Sequence, residues 1–304
     1  MKRKTTWIAF AAVCAALLLP SPARGAAGTV GSVFLIVGTS ARCEGMGGAC
    51  AASVNDASAV SINPAAMTET SGQQAVFMHN ETVLDLSQEY ISYTSSYGGS
   101  AWGASLVYMD MGSQQAYSTT NVSQGSFRPN SYALTFAYGK QLTDNDAYKL
   151  SYGAAFKYVR EKIASESGTA YAIDAGLLFK PKHTNWRLAL VAQNIGTKIK
   201  LGSVADTLPR ALRLGAAYDL SGMPLTISAD LLSIKGSDPE FHFGAEYSLS
   251  NYIRLRAGYN SDDDLDNGFT FGLGFSQEAF GLDYAFIPMG VFGDSHRFSF
   301  SAKF

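Results

Sequence analysis

His296-Arg297-Phe298-Ser299-Phe300-Ser301-Ala302-Lys303-Phe304 carries His296, Phe298, Phe300, Ala302 and Phe304 on one parity and Arg297, Ser299, Ser301 and Lys303 on the other. A repeat of two is that of a β-strand, so one face of this stretch suits hydrocarbon and the other suits water. The same alternation recurs upstream. Tyr132, Leu134, Phe136 and Tyr138 are interleaved with Ser131, Ala133, Thr135 and Ala137, and Phe269, Phe271, Leu273 and Phe275 with Thr270, Gly272, Gly274 and Ser276.

Extending this reading predicts fourteen strands: 73–80, 88–97, 100–110, 130–140, 148–160, 169–180, 186–194, 208–220, 223–234, 240–249, 251–260, 267–276, 279–287 and 294–304. An even number of amphipathic strands, with aromatic rows on one face and small or polar residues on the other, describes a 14-stranded antiparallel transmembrane β-barrel of the all-β class. Composition agrees, with 16% charged and 12% aromatic residues against about 25% charged in an average soluble domain. Links after even-numbered strands are mostly short (Gly98-Gly99, Ser221-Gly222, Gln277-Glu278), which predicts that 111–129, 195–207, 260–267 and 287–294 lie outside the cell. Asp262, Asp263, Asp264 and Asp266 make one of these loops acidic and lead into the hairpin dipeptide Asn267-Gly268.

At the other end, Lys2, Arg3 and Lys4 precede an apolar run from Trp7 to Leu19, then Pro20, Pro22 and the small residues around Ala23-Arg24-Gly25-Ala26-Ala27. The run is about 13 residues, short of the ~20 of a membrane-spanning helix. Residues 1–27 therefore read as a secretory signal peptide, 28–71 as an N-terminal segment preceding the strands, and 72–304 as the barrel.

Ionisable residues that hydrocarbon would not tolerate, Lys157, Asp174, Arg213, Asp230, Glu246, Arg254, Arg256, Asp283 and Arg297, fall on the parity opposite the aromatic rows and are predicted to face the lumen. Opposite signs on neighbouring strands suit a cross-strand ion network.

Residues 38–67 are rich in small side chains and read as a plug for the lumen. Gly45, Gly47 and Gly48 permit positive φ and close backbone approach, Asp56 suits a helix cap, and Asn63-Pro64 suits a helix start. Cys43 and Cys50 on a single helix would lie ~10 Å apart, beyond disulfide reach. The intervening glycines offer a turn that would bring them together, so both the free and the bridged state stay open.

Phe34-Leu35-Ile36, Gly45-Met46-Gly47-Gly48, Asn55-Asp56-Ala57-Ser58 and Asn63-Pro64-Ala65 resemble the N-terminal pattern of the PorV/PorQ family of outer-membrane barrels, which is similar in fold to the FadL long-chain fatty-acid transporters. Gln193-Asn194-Ile195-Gly196, Leu208-Pro209, Arg213-Leu214-Gly215, Gly244-Ala245-Glu246-Tyr247 and Arg256-Ala257-Gly258-Tyr259 extend the resemblance over the mature chain. It implies a 14-stranded barrel in which Asn63, Pro64 and Ala65 belong to a lumenal hatch. The ending at Phe300 and Phe304 resembles the C-terminal signal read by the barrel assembly machinery.

The implied location is the bacterial outer membrane, in contact with outer-membrane lipid. Fold analogy puts a passive conduit for small hydrophobic molecules first, with a bend near Gly98, Gly99 and Gly103 for lateral exit. A component of a type IX-like secretion system, holding cargo or partner proteins through Tyr117, Phe127 and Phe292, comes second. The net charge of −2 argues against a nucleic-acid partner. The four histidines are scattered, no catalytic or metal-ligand spacing is present, and neither an enzyme nor a cofactor is implied.

Overall fold

The computed structural model describes residues 30–81, 86–262, 267–290 and 293–304. The predicted signal peptide, Phe292 and Asp263, Asp264 and Asp266 of the acidic loop lie outside the described residues.

Among the described residues eighteen strands follow in chain order: β1 (Gly72–Glu81), β2 (Ser87–Tyr97), β3 (Ser100–Asp110), β4 (Gln114–Tyr117), β5 (Ser123–Phe127), β6 (Asn130–Asp144), β7 (Tyr148–Ile163), β8 (Glu166–Pro181), β9 (Trp186–Gly196), β10 (Lys198–Leu201), β11 (Val204–Thr207), β12 (Ala211–Asp219), β13 (Leu225–Ile234), β14 (Glu240–Ser248), β15 (Ile253–Asn260), β16 (Phe269–Gln277), β17 (Phe280–Pro288) and β18 (Asp294–Lys303). Fourteen of them close into one antiparallel barrel, sealed by β1 against β18. The other four form two hairpins, β4–β5 and β10–β11, within segments read as loops. Strands β7 and β8 run further than expected and meet at the two-residue link 164–165, with Ala164 at φ 52°. That link is shorter than the connections mostly expected at this end.

The parity rule accounts for the wall. Leu134, Phe136, Phe271, Leu273, Phe298 and Phe300 are exposed on the outer face, while Ser131, Thr135, Thr270, Ser295, Arg297 and Ser299 are buried inside. Outward Trp102, Tyr138, Tyr152, Trp186, Tyr218 and Tyr247 ring the end with the short turns. Tyr108, Tyr132, Tyr158, Tyr171, Tyr259 and Tyr284 ring the other end. Two aromatic girdles around an aliphatic and phenyl band are what the two water–lipid boundaries favour. Arg placed at Leu134, Phe271 or Leu273 is expected to cost about 2–4 kcal/mol each at mid-bilayer, read as a lower urea midpoint for folding in lipid vesicles. An unchanged midpoint would mean that these positions do not meet hydrocarbon.

The expected bend near Gly98, Gly99 and Gly103 is absent. Gly98 and Gly99 form the β2–β3 turn with φ of 59° and 76°, and Gly103 sits in unbroken register with Thr94 on one side and Ala137 on the other. The register shifts in the barrel fall instead at Gln141/Thr143 and at Ile173/Ala175.

Candidate functional site, the filled lumen

The barrel interior is occupied by residues 30–70, and their path explains their composition. Pro64–Glu69 is a helical turn capped as the Asn63-Pro64 reading expects: Asn63 Oδ1 accepts from Ala65 N at 3.1 Å, with Pro64 at the first position. Asp56 does not cap the preceding helix Ala59–Ile62, whose N-cap is Ser58. Its Oδ1 instead accepts from Ser58 N at 2.8 Å and tightens the approach to that helix. Cys43 and Cys50 are disulfide-bonded, with Cα atoms 5.6 Å apart. Gly47 and Gly48, at φ 65° and 79°, make the turn that a helix would not allow.

The segment touches the wall on opposite sides of the barrel, and glycine stands where it does. A Cβ on Gly153 of β7 would lie 2.3 Å from the Pro64 carbonyl carbon, and one on Gly258 of β15 would lie 2.0 Å from Gly47 N. A Cβ on Gly139 or Gly244 would meet Pro64 O or Met46 O at 2.6 and 2.5 Å, one on Gly176 would meet Asn63 Oδ1 at 2.2 Å, and one on Gly272 would lie 3.1 Å from Gly45 Cα. Glycine inside a strand weakens it, and its use here reflects close backbone approach.

Polar contacts pin the segment at several points. Asp230 Oδ2 accepts from Cys50 N at 3.1 Å, Ala51 N at 3.0 Å and Arg213 at 3.2 Å, while Arg213 also donates to Gly48 O at 2.9 Å. Arg42 forks onto Glu246 at 2.9 and 3.0 Å, and Arg256 bridges Glu246 at 2.6 Å and Asp283 at 2.7 Å. Arg297 pairs with Glu44 at 2.9 Å and donates to Gly38 O at 3.1 Å. Gly47 N donates to Thr270 Oγ1 at 2.9 Å, and His242 Nδ1 donates to Gly47 O at 2.6 Å. Asn63 Nδ2 reaches Ala51 O at 2.9 Å. A buried charge is tolerable only when paired and hydrogen-bonded, which these are.

The nine ionisable residues predicted for the lumen all project inward, but they form separate groups. Lys157 and Asp174 pair at 2.7 Å within the wall, where Asn194 N donates to Asp174 at the β8–β9 bulge. Arg254 joins no ion pair among the described residues and donates to Ser276 Oγ at 2.7 Å. Residue types alone did not point to Arg42, Glu44, Asn55, His242, Thr270 and Ser299 as partners. Phe300 is exposed on the outer face, and Phe304 follows β18 with its N–H donating to Gln73 O at 2.9 Å.

At the short-turn end Glu69 lies between Lys180 and Lys149, the latter at 3.0 Å. Burial opposes its ionisation, but hydrogen bonds and charge from Lys180 and Lys149 outweigh that and hold the carboxyl below its ordinary 4.5. A depressed carboxylate stabilises the fold fully above about pH 4.5 and loses that contribution as the pH falls through its folded value. Glu69→Gln should therefore flatten the fall in urea midpoint on acidification below about pH 4.5. An unaltered acid profile would place that dependence elsewhere.

At the other end Phe34, Val107, Val159, Ile199 and Leu208 form a buried apolar cluster, with Gly31 N donating to Thr207 O at 3.0 Å on the folded-in β10–β11 hairpin. A recess of about 80 Å³ beside this cluster is bordered by Phe34, Ile62, Lys157 and Arg213. At the short-turn end a charged vestibule of about 460 Å³ remains.

No curated protein matches this chain. Among solved structures it is similar to the Pseudomonas putida toluene transporter TodX, at 14% identity over 87% of this chain and 96% of that one, TM-score 0.63. It is also similar to the TodX deltaS2S3 mutant monoaromatic hydrocarbon channel, at 13% identity over 88% and 99%, TM-score 0.61. Those likenesses establish a shared FadL-like barrel fold. A family model described as Type IX secretion system protein PorV matches residues 22–224, well over half of the sequence, and the chain belongs to that outer-membrane family.

Proposed function

We propose that this chain is a sealed outer-membrane component of a type IX-like protein secretion system, in which residues 28–71 act as a fixed plug and the external loops hold partner proteins. The observation that carries this reading is the packed lumen. The recess beside the apolar cluster of Phe34, about 80 Å³, is well under the ~300 Å³ at which ligand pockets begin. The larger cavity is lined by arginines and carboxylates, a poor medium for a hydrocarbon. The hydrogen-bonded ladders around β2, β3 and β6 leave no lateral opening at the place foreseen for one. Fold analogy had favoured the hydrophobic conduit, and the packing favours the secretion role. Exposed Tyr117 on the β4–β5 hairpin is the first candidate for partner contact.

The test combines planar-bilayer recording and toluene flux into vesicles with photo-crosslinking from position 117 in cells. Closed bilayers, background flux and a specific protein adduct are expected. Steady conductance or toluene uptake above protein-free vesicles would overturn the sealed barrel.

A further inference from the structure

The 460 Å³ vestibule lies between helix Ala41–Glu44 and strands β15–β18, inside the barrel at the end of the short turns. Its floor is electrostatically complete, since Arg42 and Arg256 are matched by Glu246 and Asp283. Its rim is not. Arg254 donates to the Ser276 hydroxyl, and neither its guanidinium nor the ammonium of Lys303 joins an ion pair among the described residues, although Lys303 N donates to Ala279 O at 2.7 Å. Glu278 stands at the adjacent hairpin tip, likewise without an ion pair among the described residues.

A second hollow, about 310 Å³, lies on the outer wall against Leu282 and Phe300. It shares Phe275, Glu278, Ala279, Phe280 and Gly281 with the vestibule, so the β16–β17 turn is the low wall between a chamber lined by both signs of charge and a lipid-facing apolar hollow. Short turns mark the periplasmic side, which places this wall at the inner leaflet.

We propose that the vestibule binds the headgroup of an inner-leaflet phospholipid folded over the β16–β17 turn. Arg254 and Lys303 hold its phosphate by charge-assisted hydrogen bonds, and the acyl chains lie along Phe275, Leu282 and Phe300. Glu278 is placed to accept from the ammonium of an ethanolamine head. The volume lies within the range of small-ligand sites. The assignment is independent of whether the lumen conducts, because the chamber lies on the periplasmic side of the plug.

The test is native mass spectrometry of the full barrel released from nanodiscs of phosphatidylethanolamine and phosphatidylglycerol, comparing wild type with R254Q/K303Q and the charge-keeping R254K/K303R. Heat-modifiable gel mobility establishes that each variant is folded. One retained phospholipid per barrel is expected, with occupancy at least about tenfold lower in R254Q/K303Q and restored in R254K/K303R. Equal retention in all three folded proteins would overturn the site. Binding of inorganic phosphate added at millimolar concentration, with no lipid retained in its absence, would overturn the lipid assignment in favour of a soluble anion.

Discussion

Gly153→Val lowers the unfolding free energy of the barrel by about 3 kcal/mol and exposes residues 37–70 to protease. The sign is the informative part. In an ordinary strand the change is favourable, because glycine loses the most backbone entropy and valine suits a pleated surface. Here the added Cβ would meet Pro64 C, Ala65 N and Pro64 O at 2.3, 2.5 and 2.6 Å, all of them backbone atoms that no rotamer change can move aside. The neighbouring strands offer no retreat, since Gly139 and Gly176, paired with Gly153 on either side, press on the same turn. Gly258→Val tests the opposite wall against Gly47. Urea unfolding in micelles and timed proteolysis provide the readout. A neutral or stabilising result at both positions would mean that the segment does not seat against the wall.

Glu246→Gln has the second large effect, an expected loss of about 3–5 kcal/mol from stranding buried cations. Glu246 is the shared acceptor of Arg42 from the plug and Arg256 from the wall. Arg256 keeps Asp283 at 2.7 Å, but Arg42 is left with Asn55 at 2.6 Å and Asp56 at 4.0 Å. Arg42→Met beside Glu246→Gln separates a charge effect from a packing effect. If the two groups act as a pair, the double variant loses less than the sum of the single variants. Additive losses, or a cost below ~1 kcal/mol for Glu246→Gln, would show that plug and wall are not coupled through this pair.

The barrel was legible because its signal is local. Alternation along one strand assigns a face to every residue, and the closed ladder follows the fourteen expected strands with small shifts in their ends. The two loop hairpins were not legible. Segments such as 114–117 and 198–201 are too short for a period of two to stand out, and their pairing depends on what lies beneath them. Ile199 shows this, since it is held in the buried apolar cluster with Phe34 and Leu208.

The lumen was half legible. Parity placed all nine predicted ionisable residues inside, because a strand's faces follow from sequence spacing alone. Partner choice did not follow, since Arg42 and Glu44 reach Glu246 and Arg297 of the wall across more than two hundred residues of chain, and no local period encodes such a meeting. One sequence signal would have located the seat. Gly103, Gly139, Gly153, Gly176, Gly215, Gly244, Gly258 and Gly272 all lie on the inward parity, where a barrel has no conformational need of glycine. Such glycines mark close backbone approach.

By itself the sequence determined a membrane-spanning barrel, the face of each strand residue and the identity of the segment able to fill the lumen, because these depend on side-chain polarity at a spacing of two and on small-residue content. Tertiary structure decided the disulfide between Cys43 and Cys50, the unbroken ladder where a bend was expected, and the pairing of Arg42 with Glu246. These depend on how far two distant pieces of backbone are brought together, a distance set by the closed circumference of the barrel and by the missing side chains of its inward glycines.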